Sequence, residues 1–138
     1  MMKPFSLNIV SQEQQMYIGT AIKLFVTSVL GELEILYGHA KLLVQLVPAP
    51  IWIEKSDFSK EAFVIFGGVL EVQSNKVVIL ADTAMRAADI DEVKALKAKR
   101  DAEYKLHQKG GNTDYASIRA ELAFAGAQLK VVRHLLGK

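Results

Sequence analysis

Gly68-Val69-Leu70-Glu71-Val72-Gln73-Ser74-Asn75-Lys76-Val77-Val78-Ile79-Leu80-Ala81 consists of two β-rich runs joined by two turn residues. Leu70 and Val72 alternate with Glu71 and Gln73. Ser74-Asn75 has the length of a tight hairpin connection. Upstream, the same period of two recurs. Phe5, Leu7 and Ile9 alternate with Ser6, Asn8 and Val10, and Ile22, Leu24 and Val26 alternate with Lys23, Phe25 and Thr27. Further short runs at 42–47, 51–54 and 62–66 are bounded by Gly38-His39, Pro48-Ala49-Pro50, 55–60 and Gly67-Gly68. Many short strands without a helical interruption predict a β-sandwich or barrel.

Downstream of the hairpin the period changes at Ala87-Ala88. Asp89 followed by Glu92 predicts a capping box, with Ile90 as the first buried position. A first helix is expected to run to about Gln108 and stop at Gly110-Gly111, with Lys105 and Lys109 near its negative end. Asn112, Thr113 or Asp114 caps a second helix, whose Tyr115, Ile118, Leu122, Ala125, Leu129, Val132 and Leu136 recur at steps of three and four. Ala95, Ala98, Ala102 and Leu106 supply a small-residue face opposite. The pair reads as an antiparallel hairpin of two helices with one thin seam. Such a hairpin buries little apolar area, so it must dock on the β domain or on a partner. Permanent docking and reversible docking, as in a conformational switch, are both compatible with this pattern.

Composition narrows the function. The 138 residues carry 17 basic and 15 acidic side chains, a balance that gives no reason to expect nucleic-acid binding. There is no cysteine, so disulfides and thiolate metal sites are excluded, which suits a reducing cytoplasm. The N-terminus lacks the continuous apolar stretch of a signal peptide, and the apolar run 42–53 is interrupted and too short to span a bilayer. Membrane association is therefore expected only through a partner. No phosphate loop is present. His39, His107 and His134 have no zinc-ligand spacing, and no nucleophile elbow surrounds a serine. These residues point to a binding or interaction protein, not an enzyme.

Several collinear segments carry a family resemblance. Gly31-Glu32-Leu33-Glu34-Ile35-Leu36-Tyr37-Gly38-His39-Ala40 is similar to the G-E-L-G-I-x-P-G-H-A loop of the epsilon subunit of the bacterial F-type ATP synthase. Gly67-Gly68-Val69-Leu70-Glu71-Val72-Gln73 resembles its G-G-x-L-E-V-Q hairpin, and Val77-Val78-Ile79-Leu80-Ala81-Asp82-Thr83-Ala84 its V-T-V-L-A-D-T-A strand. Val10-Ser11-Gln12-Glu13-Gln14-Gln15-Met16-Tyr17 resembles the opening strand and turn of gammaproteobacterial members. Ile90-Asp91-Glu92-Val93-Lys94-Ala95 and Glu121-Leu122-Ala123 extend the match into both helices. The resemblance implies an α+β fold: a β-sandwich of about 8–10 short strands over 1–86, then a C-terminal antiparallel two-helix hairpin over 88–138.

It further implies a non-catalytic, peripheral subunit at the cytoplasmic face of the inner membrane. The sandwich would bind the gamma subunit and the c-ring and couple proton flow to ATP synthesis. The hairpin would extend toward the alpha/beta ring and inhibit ATP hydrolysis. Glu32 and His39 are expected to face the c-ring or gamma from a glycine-flanked loop, together with Tyr37 and Lys41. Their bland reading is as solvated turn residues. Glu34, Tyr37 and Lys41 replace a glycine and two prolines of the pattern, and Val47-Pro48-Ala49 replaces its K-P-G turn, which changes the allowed backbone angles. A second-copy rotary ATPase, the sodium type included, is one alternative, and a free sandwich module sensing a nucleotide or protein is another.

Ile90, Asp91, Lys94 and Ala95 match an I/L-D-x-x-R-A motif with which some members bind ATP, and Lys130 keeps a cation on helix two. Lysine lacks arginine's planar fork, and Gly126 stands where strong binders place an arginine, so only weak regulatory ATP binding, or none, is expected and no other cofactor. Otherwise these residues are a helix cap and a solvated face. Arg119, Lys130 and Arg133 are expected to meet an acidic segment of the beta subunit, or simply to solvate a helix. Leu70, Val72, Val78 and Leu80 read as packing. Trp52 suits an interface anchor as well as a core or edge position.

Overall fold

The computed structural model describes residues 2–108, 114–135 and 137. Strands come first: β1 (Phe5–Ser11), β2 (Gln15–Ala21), β3 (Lys23–Ser28), β4 (Gly31–Ile35), β5 (Leu42–Leu46), β6 (Ala49–Glu54), β7 (Lys60–Ile65), β8 (Gly68–Gln73), β9 (Lys76–Ala81) and β10 (Ala84–Arg86). A 3-10 turn, Ala87–Asp89, leads to α1 (Glu92–His107) and then α2 (Tyr115–Leu135).

Hydrogen bonds join the strands in the order β10-β7-β6-β3-β5-β8-β9-β1-β2, with β4 on the other side of β3. The link between β3 and β5 is the single pair Ser28↔Leu46. The path bends there into two layers, whose inward side chains meet in one core. Phe5, Leu7, Ile9, Leu70, Val72 and Ile79 come from one layer, and Leu24, Val26, Ile51, Ile53, Phe63 and Ile65 from the other. Period-two alternation therefore does what it predicts, since each strand buries one face. Two contacts close the layers along their edges. The Tyr17 and Phe63 rings meet edge-on at 6.3 Å, and Arg86 Nη2 donates to the Met16 carbonyl at 2.9 Å, joining the two ends of the strand path. Burial raises the Tyr17 phenol pKa; the Lys55 charge opposes the rise and Glu61 adds to it.

Ser74 and Asn75 form the two-residue turn between β8 and β9, at φ 44° and 66°, and Gln73 pairs with Lys76. Three strands lie beyond the expected runs. β2 turns Ile18 outward, so its apolar spacing does not match a half-buried strand. β10 is three residues long. β4 falls in the stretch expected as a loop: Glu32 pairs with Thr27 and Glu34 with Phe25. Only 36–41 of that stretch is turn, because Leu33 and Ile35 alternate inward and extend the sheet.

Asp91, not Asp89, caps α1: its carboxylate accepts from Lys94 N–H at 3.1 Å. Asp89 is held in the 3-10 turn, and Ile90 is half-buried in extended backbone. Asp114 caps α2 by accepting from Ser117 N–H at 3.2 Å. The stop expected at Gly110-Gly111, together with Lys109, Asn112, Thr113 and Leu136, lies outside the described residues. In the helix–helix seam Ile118, Ala125 and Leu129 are buried with Ala95 and Ala102, while Tyr115 is 43% exposed and Ala98 is exposed. The seam is narrower than expected because α2 has a second apolar face. Ala127 and Val131 pack on Ala62 and Val64 of the sheet, ringed by Trp52, Ala87, Ile90 and Phe124. Aromatic contacts lie along the same interface: Phe66–Phe124 at 5.2 Å and Trp52–His134 at 4.9 Å. α2 is thus clasped between α1 and the sheet, and the hairpin is docked.

Candidate functional site

Among the described residues no cluster of His, Asp or Glu has the arrangement of a metal site, and no helix is long and apolar enough to cross a membrane. The features that stand out are surfaces.

The first is the outward face of β5-β8-β9-β1-β2. Register places Gln45, Val69, Leu80, Val10 and Gln15 in one row and Leu43, Glu71, Val78, Asn8 and Ile18 in the next. Ile18 is 73% exposed, Leu43 69% and Leu80 57%. Glu71 carries the only charge in the two rows. No helix covers this face among the described residues, since the hairpin docks on the other layer. A contiguous, nearly uncharged patch on a sheet marks a protein contact. Here the packing expectation divides. Leu70 and Val72 are buried in the core, whereas Leu80 and Val78 point outward. The near-continuous apolar run Val77-Val78-Ile79-Leu80-Ala81 was the available signal, because a strand apolar on both faces is covered on both.

The second is the turn between β4 and β5. Gly38 N–H donates to Asn75 Oδ1 at 2.6 Å, anchoring this turn on the β8–β9 hairpin. His39 N–H donates to the Leu36 carbonyl at 3.1 Å, and the Ala40 carbonyl accepts from His39 Nδ1–H at 2.7 Å. This leaves Nε2 as the ring's other hydrogen-bonding atom. Lys3 Nζ lies 5.4 Å from the centre of the exposed Tyr37 ring, and Lys41 is exposed. Tyr37, His39 and Lys41 thus share one anchored turn. Glu32 does not join them. It sits toward the opposite end of β4, about 10 Å or more along the strand, with its side chain on the sheet's outer face.

The residues of the nucleotide motif are likewise separated. Asp91 is committed to the α1 cap, Ala95 is buried, Ile90 packs against the sheet, and Lys94 is exposed. Lys130 lines two hollows, one with Phe25, Glu32 and Trp52 and one with Lys99, Gly126 and Arg133. Neither contains any of the four motif residues. Arg119, Lys130 and Arg133 are exposed. At about 100° per residue they fall within roughly 60° of one another on α2 and form a single cationic stripe.

Comparison with known proteins places this architecture. Residues 4–87 match the ATP synthase Delta/Epsilon chain beta-sandwich domain, and residues 88–133 match the Delta/Epsilon chain long alpha-helix domain. A chain in the cryo-EM structure of the Euglena gracilis mitochondrial ATP synthase OSCP/F1/c-ring superposes with a TM-score of 0.74 at 23% identity, covering 94% of this chain and 79% of that one. A chain in the central stalk/c-ring structure of the Tetrahymena thermophila mitochondrial ATP synthase superposes with a TM-score of 0.59 at 14% identity, covering 95% and 98%. The two likenesses establish the fold, and the family matches run through both the sandwich and the helices: the chain belongs to the delta/epsilon subunit family of rotary ATP synthases.

Proposed function

We propose that this chain is the non-catalytic central-stalk subunit that couples rotation of the c-ring to ATP synthesis and restrains ATP hydrolysis through its hairpin. The observation that carries the reading is the uncovered apolar face of β5-β8-β9-β1-β2 in a member of this family. That face takes the gamma subunit. The turn bearing Tyr37, His39 and Lys41 meets gamma or the polar loops of the c-ring, and the complex sits peripherally at the inner membrane. The labour divides at about residue 87, with the sandwich as anchor and the hairpin as brake. The stripe of Arg119, Lys130 and Arg133 is suited to an acidic segment of the beta subunit once α2 leaves the sheet. The separate apolar cores of sandwich and docking face support such a division.

The test is ATP hydrolysis by an alpha/beta/gamma complex supplied with the full chain or with a chain ending at Arg86. Both should bind, and only the full chain should inhibit. Inhibition by the shortened chain would remove the brake from the hairpin, and failure of both to bind would remove the subunit role. ATP is expected to act weakly or not at all, because Lys94 lacks arginine's planar fork and the hollows that Lys130 lines contain none of the motif residues. Calorimetry should show no sub-micromolar ATP binding, and a sub-micromolar isotherm would restore the nucleotide site.

A further inference from the structure

The layer that carries α2 is only partly covered by it. One row of outward side chains crosses that layer as Glu34 on β4, Phe25 on β3, Trp52 on β6 and Ala62 on β7. Ala62 lies under α2, and Trp52 lies at its edge against His134. Phe25 is 39% exposed, and Glu34 and the neighbouring Glu32 are exposed. Two hollows of about 340 and 220 Å3 share Phe25 and Trp52 as their floor. Glu32 and Glu34 rim the first hollow on the β4 side, and Lys130 of α2 rims it opposite. Neither glutamate is in an ion pair among the described residues.

The dimensions of this strip select its occupant. Two strands span about 10 Å, the width of one helix, and β3 is about 20 Å long, the length of about four helical turns. A strand added at the edge of β4 would be bordered by two carboxylates on the outer face, whereas a helix laid over β3 and β4 presents cations to them directly. A second copy of this chain offering its own β4 would set like charges face to face. We propose that the bare strip over β3 and β4 seats a third helix, supplied by a partner protein. Its apolar side rests on Phe25 and Trp52, lysine or arginine faces Glu32 and Glu34, and a carboxylate faces Lys130. The docked hairpin is then one wall of a binding groove, and withdrawal of α2 dismantles that groove.

Trp52 is the only tryptophan in the chain and forms the floor of the strip, so its emission reports occupancy directly. The probe is a synthetic amphipathic helical peptide of about 14 residues, with leucines on one side flanked by lysines and glutamates. Titrated into the full chain, it should give a saturable change in Trp52 emission. A peptide with both flanks acidic should not. The Glu32→Lys/Glu34→Lys double variant should weaken binding by about tenfold or more, while Glu13→Lys in the exposed β1–β2 turn should leave it unchanged. Both glutamates are exposed, and circular dichroism will verify that the double variant folds. Absence of a saturable change, or equal binding by the double variant, overturns the proposal. A concentration-dependent emission change without peptide, accompanied by a dimer in sedimentation, would assign the strip to a second copy and overturn it as well.

Discussion

Ala127→Asp is expected to release α2 from the sheet while leaving the sandwich folded. Ala127 is 6% exposed and packs against Ala62, Val64 and Val131. An aspartate there is too short to reach water and has no cation opposite it in that cluster. An uncompensated buried charge costs several kcal/mol. The interface it must overcome is modest: its buried members are alanines and valines, and the larger contacts, Phe66–Phe124 and Trp52–His134, lie outside that buried centre. Undocking is therefore the cheapest relief. Hydrogen exchange should show loss of protection across 115–135 with protection of β1, β8 and β9 retained, and Trp52 emission should shift as its contact with His134 is lost. If the hairpin is the brake proposed above, the variant should inhibit ATP hydrolysis more strongly than the wild-type chain at equal concentration. Unchanged exchange in α2 would show that the interface accommodates the charge, and weaker inhibition would count against the brake.

Gly68→Ala should cost more stability than any other single methyl addition at a described glycine. Gly68 has φ +150°, a conformation that L side chains rarely adopt, and a Cβ there would stand 2.2 Å from the Leu80 carbonyl oxygen and 2.9 Å from Ala81 Cα. Those atoms are backbone of the paired strand, so relief requires β8 and β9 to separate at the start of their ladder, where Gly68 pairs with Ala81. Backbone strain of about 1–3 kcal/mol and overpacking of about 1–3 kcal/mol together remove about 4 kcal/mol. Against a typical domain stability of about 5–15 kcal/mol, thermal unfolding should move down by about 10–20 °C. Gly126→Ala is the internal control. Nothing lies within 4 Å of its Cβ position, and the residue is helical, so a gain of about 0.5–1 kcal/mol is expected. A Gly68→Ala chain that melts with the wild type would show that the β8–β9 pairing can slide to admit the methyl group.

Phe5, Leu7 and Ile9 were legible as a strand because a half-buried strand must alternate, and these side chains do so in the core. Ser74-Asn75 was legible because a two-residue hairpin has few sequence solutions. β4 was not, although Leu33 and Ile35 alternate, because the glycines at its borders and the family loop pattern describe the same residues as a turn. Asp89 and Asp91 both precede the helix, and only the extended backbone at Asp91 decides which of them caps it. Glu32 and His39 lie seven residues apart in sequence and toward opposite ends of a strand in space, a separation that depends on β4 being extended.

Local pattern determined the sandwich-then-hairpin order, the tight β8–β9 turn, the two helices and the thin seam between them. Each of these rests on contacts between residues near in the chain or on a fixed period. The family match extends that reading across nearly the whole length. Only the tertiary structure decided which apolar residues lie inside. Ala62 and Phe63 read alike in sequence, yet Phe63 faces the sandwich core and Ala62 faces α2. Leu70 and Leu80 are both strand leucines, and one is buried while the other is 57% exposed. The physical reason is that periodicity specifies that a strand has two faces, while what covers each face depends on segments tens of residues away.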